Sequence, residues 1–277
     1  MRKFVILFSI LLFIITFSFC GWFLYRFIFF PKSKVNLFTL KSNFIFLSKD
    51  KIEELRKNSS TNNKKDIKGQ KLENLFPFSE NEQFKFGIFL GGVKIGESII
   101  NYKGIKELDG KKVVLITMES KVNNFYDKEE IYGDIIDFYP LLVKRKLRLW
   151  GKNVEIIEKY NKTENEVEII RRDNTVTVEK IKSERKLNNI ILFLFSLRAK
   201  KDIRVGQSLD FNLPTINMKM NLKNITKIKT PKGSFDAYYL KSEPSKYEAW
   251  LSCDNKLIPL KIKGAIGFGS TSLVLID

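Results

Sequence analysis

The residue types that most often carry out catalysis are scarce in this chain. Its 277 residues include no histidine, so the commonest general base, the commonest metal ligand and the usual pH switch near neutrality are all missing. Cys253 has no histidine to activate its thiol, and we interpret it as a small residue beside a turn. The only other cysteine is Cys20, so the sequence contains no disulfide framework. This composition argues against an enzyme and predicts neither a cofactor nor a metal site.

Two acidic stretches contain carboxylates that could act as an acid–base pair. They are residues 126–130 and residues 164–168. Both fall where a solvated strand face is expected. We therefore interpret them as surface rather than as a catalytic pair.

The densest basic run of the globular part is Lys144-Arg145-Lys146-Leu147-Arg148. On a β-strand, Lys144, Lys146 and Arg148 would project from one face, and Arg145 and Leu147 from the other. A stripe of three cations could bind phosphate or carboxylate head groups. A solvated strand face is the simpler interpretation of the same pattern.

The elements that must position these residues are mostly strands. Apolar and polar residues alternate through residues 80–277, and turn dipeptides such as Gly91-Gly92 and Asp109-Gly110 separate the runs. The pattern predicts an all-β domain, an antiparallel curved sheet that forms a half-barrel or barrel. The candidate strands are residues 84–90, 93–106, 113–118, 131–138, 142–150, 154–160, 166–171, 175–181, 208–213, 218–229, 234–242, 247–252, 257–262 and 270–276.

One segment inside this β pattern has helical periodicity. Apolar residues recur at steps of three and four from Leu187 to Leu197. We predict one embedded amphipathic helix at about residues 187–200, with a broad apolar surface that includes Leu194. It should lie across the concave side of the sheet, because no other surface is large enough to cover it.

The chain begins with a long apolar segment. Residues 4–30 are apolar or small apart from Arg26, and the 22 residues 4–25 are long enough to cross a hydrocarbon core of about 30 Å. A cleaved secretory signal fits poorly, because the run is too long and no Ala-x-Ala-like site follows it. We predict that residues 1–30 are an uncleaved transmembrane signal-anchor, with lipidation at Cys20 as the main alternative.

The segment between the anchor and the β domain is polar. Residues 31–79 are rich in Lys, Asn and Ser and contain too few apolar residues to offset the entropy of ordering them. We predict a tether with one short helix.

The formal net charge of +18 raises the question of nucleic acid or anionic lipid as a partner. Because the basic residues are interleaved with Asp and Glu, we predict no nucleic acid, while weak attraction to an anionic membrane remains.

Several short motifs, in a fixed order, resemble the DUF3108 family of exported bacterial proteins. The similarity covers about residues 80–277. The motifs are Phe84-Lys85-Phe86-Gly87-Ile88, Gly92-Val93-Lys94-Ile95-Gly96, Tyr139-Pro140-Leu141-Leu142, Phe195-Ser196-Leu197-Arg198, Thr230-Pro231-Lys232-Gly233, Ala249-Trp250-Leu251-Ser252 and Leu257-Ile258-Pro259-Leu260. The resemblance implies an envelope location and a β fold, and it implies no reaction.

The segment from Trp250 to Pro259 also resembles the strand pair of lipoprotein-carrier half-barrels. In those folds a concave sheet holds acyl chains under a helical lid. This resemblance implies that Trp250 contributes to a hydrophobic site. A tryptophan that fills a core and a proline at the edge of a strand would explain the same residues without a ligand.

These features predict a membrane-tethered, non-enzymatic protein of the bacterial envelope. We expect residues 4–30 to anchor it in the inner membrane with the β domain on the periplasmic side, where the domain binds a lipid, a lipoprotein or another hydrophobic partner. The alternative is a structural or assembly module that docks to other envelope proteins and binds no small molecule. An open interior would favour the first function and a filled interior the second. The candidate ligand-binding residues are Lys144, Lys146, Arg148, Leu194 and Trp250.

Overall fold

The computed structural model describes residues 76–264 and 271–277, which form fourteen strands and one helix. The strands are β1 (Gln83–Leu90), β2 (Val93–Leu108), β3 (Lys111–Val122), β4 (Phe125–Asp134), β5 (Pro140–Leu149), β6 (Lys152–Asn161), β7 (Glu166–Arg172), β8 (Val176–Lys182), β9 (Ser208–Leu213), β10 (Ile216–Thr230), β11 (Gly233–Glu243), β12 (Glu248–Ser252), β13 (Pro259–Lys263) and β14 (Ser272–Leu275). The helix, α1, is Ile190–Lys200. The predicted all-β fold with one embedded helix is confirmed in these residues.

The strands form two meanders that meet at the centre of one antiparallel sheet. Strands β1 to β8 pair in succession towards one edge, and the chain then crosses to the other edge, where β9 begins. Strands β9 to β14 return to the centre, and β14 pairs with β1, with Phe86 opposite Leu275. Because β8 and β9 do not pair with each other, the sheet is curved but not closed.

The crossing segment lies along one of the two edge strands. Leu187 forms a parallel bridge with Asn212 of β9, and the Asn188 amide donates to the Asn212 carbonyl at 2.7 Å. The Asn212 side-chain amide donates to the carbonyl of Lys186 at 3.2 Å. The edge of β9 is therefore covered by the chain itself. Within the described part of the chain, no segment pairs with the outer edge of β8.

Two local signals set the ends of α1. The Asn189 side chain accepts hydrogen bonds from the amides of Ile191 at 2.9 Å and Leu192 at 3.3 Å, which makes it the N-cap. At the other end, Lys201 adopts a left-handed conformation and its amide donates to the Leu197 carbonyl at 2.9 Å. The helix thus begins three residues later than predicted, because Leu187 pairs with β9.

The helix α1 fills the concave side of the sheet. Every residue from 191 to 198 is buried, as expected of a helix that is apolar on nearly all sides. Its Phe195 packs against Tyr102 of β2, with ring centroids 6.1 Å apart, and its Phe193 packs against Phe211 of β9 at 4.9 Å. The predicted position is confirmed. Since α1 contacts both meanders, the space enclosed around it is occupied by the protein's own side chains.

One glycine lets the helix approach the sheet closely. A Cβ atom added at Gly133 of β4 would lie 2.6 Å from Cδ2 of Leu192. A larger residue at position 133 would require the Leu192 side chain to shift. The glycine therefore accommodates the close contact between α1 and β4.

The folded unit begins before residue 80. Phe78 is only 4% exposed, and its ring lies 4.6 Å from that of Tyr102 and 5.3 Å from that of Phe195. Phe76 also packs there, with its ring 5.3 Å from that of Phe78 and 5.2 Å from that of Phe138. The end of the segment predicted as a tether, residues 31–79, is thus part of the domain core.

The predicted signal-anchor, residues 1–30, and the candidate lipidation site Cys20 lie outside the described residues, as does the tether up to residue 75. Among the residues that are described, none of the helical structure is long and apolar enough to cross a membrane.

Candidate functional site

The basic run of β5 is divided between the two faces of the sheet as predicted. Lys144, Lys146 and Arg148 are exposed on the outer, convex face. Arg145 and Leu147 point to the concave side and are partly buried. The expectation that the three cations share one face is therefore confirmed, while their role in ligand binding stays a prediction.

A depression of about 660 Å³ lies on the outer face of this part of the sheet. Its lining is rich in cations and consists of Lys121, Tyr126, Lys146, Leu147, Arg148, Asn153, Val154, Glu155 and Arg172. Arg172 is paired with Glu155 at 2.9 Å and Lys121 with Glu119 at 3.0 Å. The depression thus combines paired cations with two, Lys146 and Arg148, that have no ion-pair partner among the described residues.

The cations on this face include a like-charge pair. Lys146 of β5 lies directly opposite Lys128 of β4, and no carboxylate of the described residues is within ion-pair distance of either. Like charges at directly opposite positions destabilise a sheet. On their other sides, Lys128 lies opposite Glu119 of β3 and Lys146 lies opposite Glu155 of β6, and these carboxylates offset the repulsion. Lys144 lies apart from the depression, with its ammonium 5.8 Å above the ring of Tyr132.

The other two predicted site residues occupy different sides of the sheet. Trp250 of β12 lies on the outer face, stacked on Tyr239 at 4.9 Å, with the ammonium of Lys261 5.1 Å from its ring. Leu194 is 2% exposed within α1 on the concave side. The five predicted residues therefore do not converge on one site, and Trp250 does not fill the core.

An ionic cluster on the concave face was not expected from the sequence. Arg145 of β5 donates through Nε to Oδ1 of Asp127 at 2.9 Å and lies 3.2 Å from Oε1 of Glu129. On the next strand, the Tyr160 hydroxyl donates to Oε2 of Glu158 at 2.6 Å. The interpretation of residues 126–130 as solvated surface is wrong for Asp127 and Glu129, which are buried or nearly so.

The local reason is strand alternation within β4. The strand was predicted to begin at residue 131, but it begins at Phe125, directly after the tight turn at Asn123 and Asn124. Its alternate residues Lys128 and Glu130 face outwards, so Asp127 and Glu129 must face inwards. Register then places Glu129 opposite Arg145 of β5. The signal was the spacing of Asp127 and Glu129 on either side of Lys128, which puts the two carboxylates on one face of a strand and the lysine on the other.

The ionic cluster, defined as Asp127, Glu129, Arg145, Glu158 and Tyr160, contains three carboxyl groups and one guanidinium. Burial raises the pKa of Glu129 to about 7, against the attraction of Arg145 and with the repulsion of Asp127 and Glu158 added. Burial likewise raises the pKa of Glu158, although the hydrogen bond from Tyr160 opposes the rise. The cluster therefore takes up a proton near neutral pH.

Apolar side chains share the concave face with the cluster. Leu147, Ile156 and Ile169 lie on the same face and are partly exposed. Gly133, where α1 touches β4, is four residues from Glu129, or about 13 Å along the strand. We call this surface the concave groove, namely the concave face of β4 to β7 that α1 leaves partly exposed.

A comparison with known protein families agrees with the resemblance seen in the sequence. The family model described as "Protein of unknown function (DUF3108)" matches residues 84–276. The chain belongs to the DUF3108 family. No curated protein matches it.

Three solved structures are similar to this DUF3108 protein. The first is a beta-barrel-like protein of the domain of unknown function DUF1849 from Brucella abortus, with 6% identity over 70% of this chain and 95% of that chain and a TM-score of 0.41. The second is named a "putative lipoprotein" from Parabacteroides distasonis, with 11% identity over 75% and 99% and a TM-score of 0.25. The third is named a "putative exported protein" with a YmcC-like fold from Bacteroides fragilis, with 8% identity over 73% and 97% and a TM-score of 0.25. These names state no enzymatic activity.

The DUF3108 motif at the end of α1 contains a buried arginine. Arg198 is 1% exposed, and its guanidinium donates to Glu82 Oε1 at 3.0 Å and to the Lys256 carbonyl at 3.0 Å. Its guanidinium carbon lies 4.9 Å from the ring centroids of Phe78 and Phe84. Arg198 therefore joins α1 to the segment before β1 and to the loop between β12 and β13. The signal in the sequence was a charged residue in an otherwise apolar helix.

The described part of this DUF3108 domain contains no group of three or more His, Cys, Asp or Glu residues arranged to hold a metal ion. Burial, with the charge of Asp236, raises the pKa of the Cys253 thiol. A raised thiol pKa lowers the fraction of reactive thiolate. Cys253 is therefore a poor nucleophile.

The ionic cluster predicts a pH dependence of stability. Because Glu129 has a higher pKa in the folded protein than in the unfolded chain, the folded state binds the proton more tightly, and stability falls as pH rises from about 5 to about 8. Replacing Glu129 with Gln should flatten this slope, removing about 1 to 3 kcal/mol of pH-dependent free energy. Urea unfolding of the full chain at each pH measures it.

The matched control for this experiment is Glu130→Gln. Glu130 is the neighbouring residue on the outer face, so its replacement should leave the slope between pH 5 and pH 8 unchanged. If Glu129→Gln and Glu130→Gln gave the same slope as the wild-type chain, Glu129 would not hold a proton in the folded state.

Proposed function

We propose that this DUF3108 protein is a non-enzymatic protein of the bacterial envelope that binds the acyl chain of a lipid or of a lipid-modified protein in the concave groove. Residues 4–30 anchor it in the inner membrane, with the β domain on the periplasmic side. The length and apolar character of the first segment support the anchor. The family resemblance to exported proteins supports the orientation.

The observation that carries the binding function is the contrast between two parts of the concave face. Beside α1, residues such as Ile131 and Val114 are completely buried. On the following strands β5, β6 and β7, Leu147, Ile156 and Ile169 keep part of their surface exposed. Burying an aliphatic side chain contributes about 1.5 to 3 kcal/mol, so an acyl chain laid along the groove would gain binding energy from each of them.

The floor of the groove limits which head group can follow the acyl chain. The guanidinium of Arg145 is already engaged by Asp127 and Glu129. The remaining hydrogen-bonding capacity belongs to the carboxyl oxygens, which accept hydrogen bonds when ionised. A hydroxyl or amine head group is therefore favoured over a phosphate in this groove.

The lipoprotein-carrier resemblance implied that the ligand binds in the interior, beneath the helix. We place the ligand in the concave groove instead. In such half-barrels the acyl chain occupies the concave side under a helix. In this DUF3108 domain α1 itself occupies that side and contacts β2, β4 and β9. Leu194 and Trp250 are thus not the residues that we propose to contact the ligand.

The proposal is tested by two substitutions in adjacent positions of β6. Ile156 lies in the concave groove and Ile157 on the outer face. With the full chain held in amphipol and a monoacylglycerol carrying a fluorescent acyl chain as the probe, Ile156→Gln should weaken binding about tenfold, since an apolar contact worth about 1.4 kcal/mol is lost. Ile157→Gln should change binding less than about twofold. Equal binding by both variants would rule out the groove.

The second candidate function is the structural or assembly module. The filled space around α1 favours it, and so does the edge strand β8, on which Val176 and Val178 are exposed. An uncovered edge can pair with a strand of another protein. A correctly folded wild-type chain that binds no lipid probe would support this module over the lipid-binding function.

A further inference from the structure

Four hairpin turns lie together at one end of the first meander. In an antiparallel meander every second turn falls at the same end, here the turns β1–β2, β3–β4, β5–β6 and β7–β8. Leu149 lies opposite Phe125, and the Trp150 amide donates to the carbonyl of Asn124 at 3.3 Å, so two of these turns touch. We call this end the rim, formed by residues 90–94, 121–125, 148–152 and 172–176.

The rim exposes apolar side chains. Leu90 is 45% exposed, Val93 66%, Trp150 71% and Val176 66%. These are half of the large hydrophobic residues that are exposed in the described part of the chain. Each comes from the tip of a hairpin, and Trp150 is the largest of them. Three of the four turns of the rim therefore expose large apolar side chains.

Trp150 is held outwards by an unusual backbone conformation. It has φ 47° and is followed by Gly151 with φ 79°, the pattern of a tight hairpin turn that asparagine or glycine usually begins. A bulky side chain in the left-handed region strains the backbone, and such strain accumulates at functional positions. The exposed indole packs little against the domain. Its placement suits a contact outside the protein.

Cations surround these apolar tips. The ranges that define the rim contain Lys94, Lys121, Arg148, Lys152 and Arg172, against a single carboxylate, Asp173. Lys94, Lys121 and Arg172 also contact carboxylates placed behind the rim. Arg148 and Lys152 have no ion-pair partner among residues 76–264 and 271–277. Arg148 and the nearby Lys146 both line the outer depression.

We propose that the rim docks onto an anionic membrane surface, with Trp150 in the interfacial layer and Arg148 and Lys152 against lipid phosphates. Tryptophan is favoured at the boundary between head groups and acyl chains because its ring is apolar and its N–H is a donor. Lysine and arginine are attracted to the negative surface potential of anionic lipids. The combination fits a lipid surface better than an acidic protein, which offers no layer for the exposed indole. The proposal rests on the membrane tethering proposed above, because the anchor keeps the domain near a bilayer.

The test uses the fluorescence of Trp150 in the full chain, with Trp22→Phe and Trp250→Phe so that no other tryptophan contributes. The chain is reconstituted into vesicles of phosphatidylcholine alone or of phosphatidylcholine with phosphatidylglycerol, both with brominated acyl chains that quench indole on contact. Quenching should be strong with phosphatidylglycerol, weak without it, and reduced by salt. Equal quenching in both vesicles would overturn the proposal.

Paired substitutions separate the rim from general electrostatic attraction. Arg148→Gln with Lys152→Gln should weaken the docking equilibrium about 30-fold, at roughly fivefold for each cation. Lys223→Gln with Lys229→Gln removes the same charge from β10, away from the rim, and should leave the quenching within about twofold. If both double variants reduced the quenching of Trp150 equally, the contact with the membrane would not be specific to the rim.

Two further measurements show which part of the proposal is wrong if Trp150 is not quenched. Inorganic phosphate and chloride at equal ionic strength should reduce quenching equally, and a specific effect of phosphate would assign the cations to a free anion instead. Flotation of the chain with vesicles reports the anchor independently of Trp150. Flotation without quenching would overturn the rim proposal alone, and loss of flotation would overturn the membrane tethering as well.

Discussion

Replacing Arg198 with Leu is expected to lower the free energy of unfolding by about 3 to 5 kcal/mol. The substitution removes the partner of Glu82 and the donor to the Lys256 carbonyl, both at 3.0 Å. It also removes the cation that lies over the rings of Phe78 and Phe84. Urea unfolding of the full chain in amphipol, followed by circular dichroism, measures the change.

Two comparisons show whether burial is the cause. Arg172→Leu breaks a pair of similar geometry with Glu155, at 2.9 Å, but that arginine is half exposed, so the expected cost is below about 1 kcal/mol. Adding Glu82→Leu to Arg198→Leu should recover part of the loss, because no carboxylate is then left without its partner. If Arg198→Leu and Arg172→Leu lowered the free energy of unfolding equally, burial would not be the cause of the loss at Arg198.

The same contacts of Arg198 attach the start of the domain to α1. Glu82 immediately precedes β1, and Phe78 packs under the guanidinium. The chain therefore enters the domain through a segment that is fixed to α1.

Turn dipeptides and the periodicity of apolar residues predicted most strands and the helix α1. Turn dipeptides such as Asp109-Gly110 mark their hairpins directly, since both residues have positive φ in the folded chain. The limits of α1 were less accurate, because they depend on Asn189 as a cap and on Leu187 pairing with β9. The latter contact joins residues that are distant along the chain, and periodicity contains no information about it.

The candidate site was harder to predict than the fold because it depends on register. The pattern of β5 correctly placed Lys146 and Arg148 on one face. The ionic cluster, however, requires that Arg145 lie opposite Glu129 and diagonal to Asp127 on the neighbouring strand, and single-strand alternation does not give cross-strand neighbours. The start of β4 was missed because residues 127–130 are charged on both faces, so apolar–polar alternation does not mark this part of the strand.

Trp250 shows a second reason for the errors. A tryptophan in a strand was interpreted as a core residue or a ligand contact. In the sheet it stacks on Tyr239 on the outer face, where the neighbouring Lys261 covers its ring. Large aromatic residues gain burial from cross-strand pairs as well as from cores. The residue type alone therefore does not predict which face of the sheet a tryptophan occupies.

Replacing Leu194 with Ala is expected to lower the free energy of unfolding by about 2 to 5 kcal/mol. Leu194 is 2% exposed and belongs to a helix whose residues 191–198 are all buried, so the deleted atoms leave a cavity that neighbouring side chains fill only partly. Because the proposed groove lies beyond α1, added monoacylglycerol should not restore the loss. Urea unfolding with and without the lipid measures both quantities.

Leu147→Ala is the matched control, because it deletes the same atoms from a partly exposed position of the concave groove. It should cost less than about 1.5 kcal/mol, and it should reduce the stabilisation that lipid gives to the wild-type chain, since a ligand stabilises only through its affinity for the folded state. The opposite pattern, a small cost at Leu194 that lipid reverses and no lipid effect at Leu147, would make α1 a mobile lid. The acyl chain would then bind beneath the helix, on the side that the lipoprotein-carrier resemblance indicated.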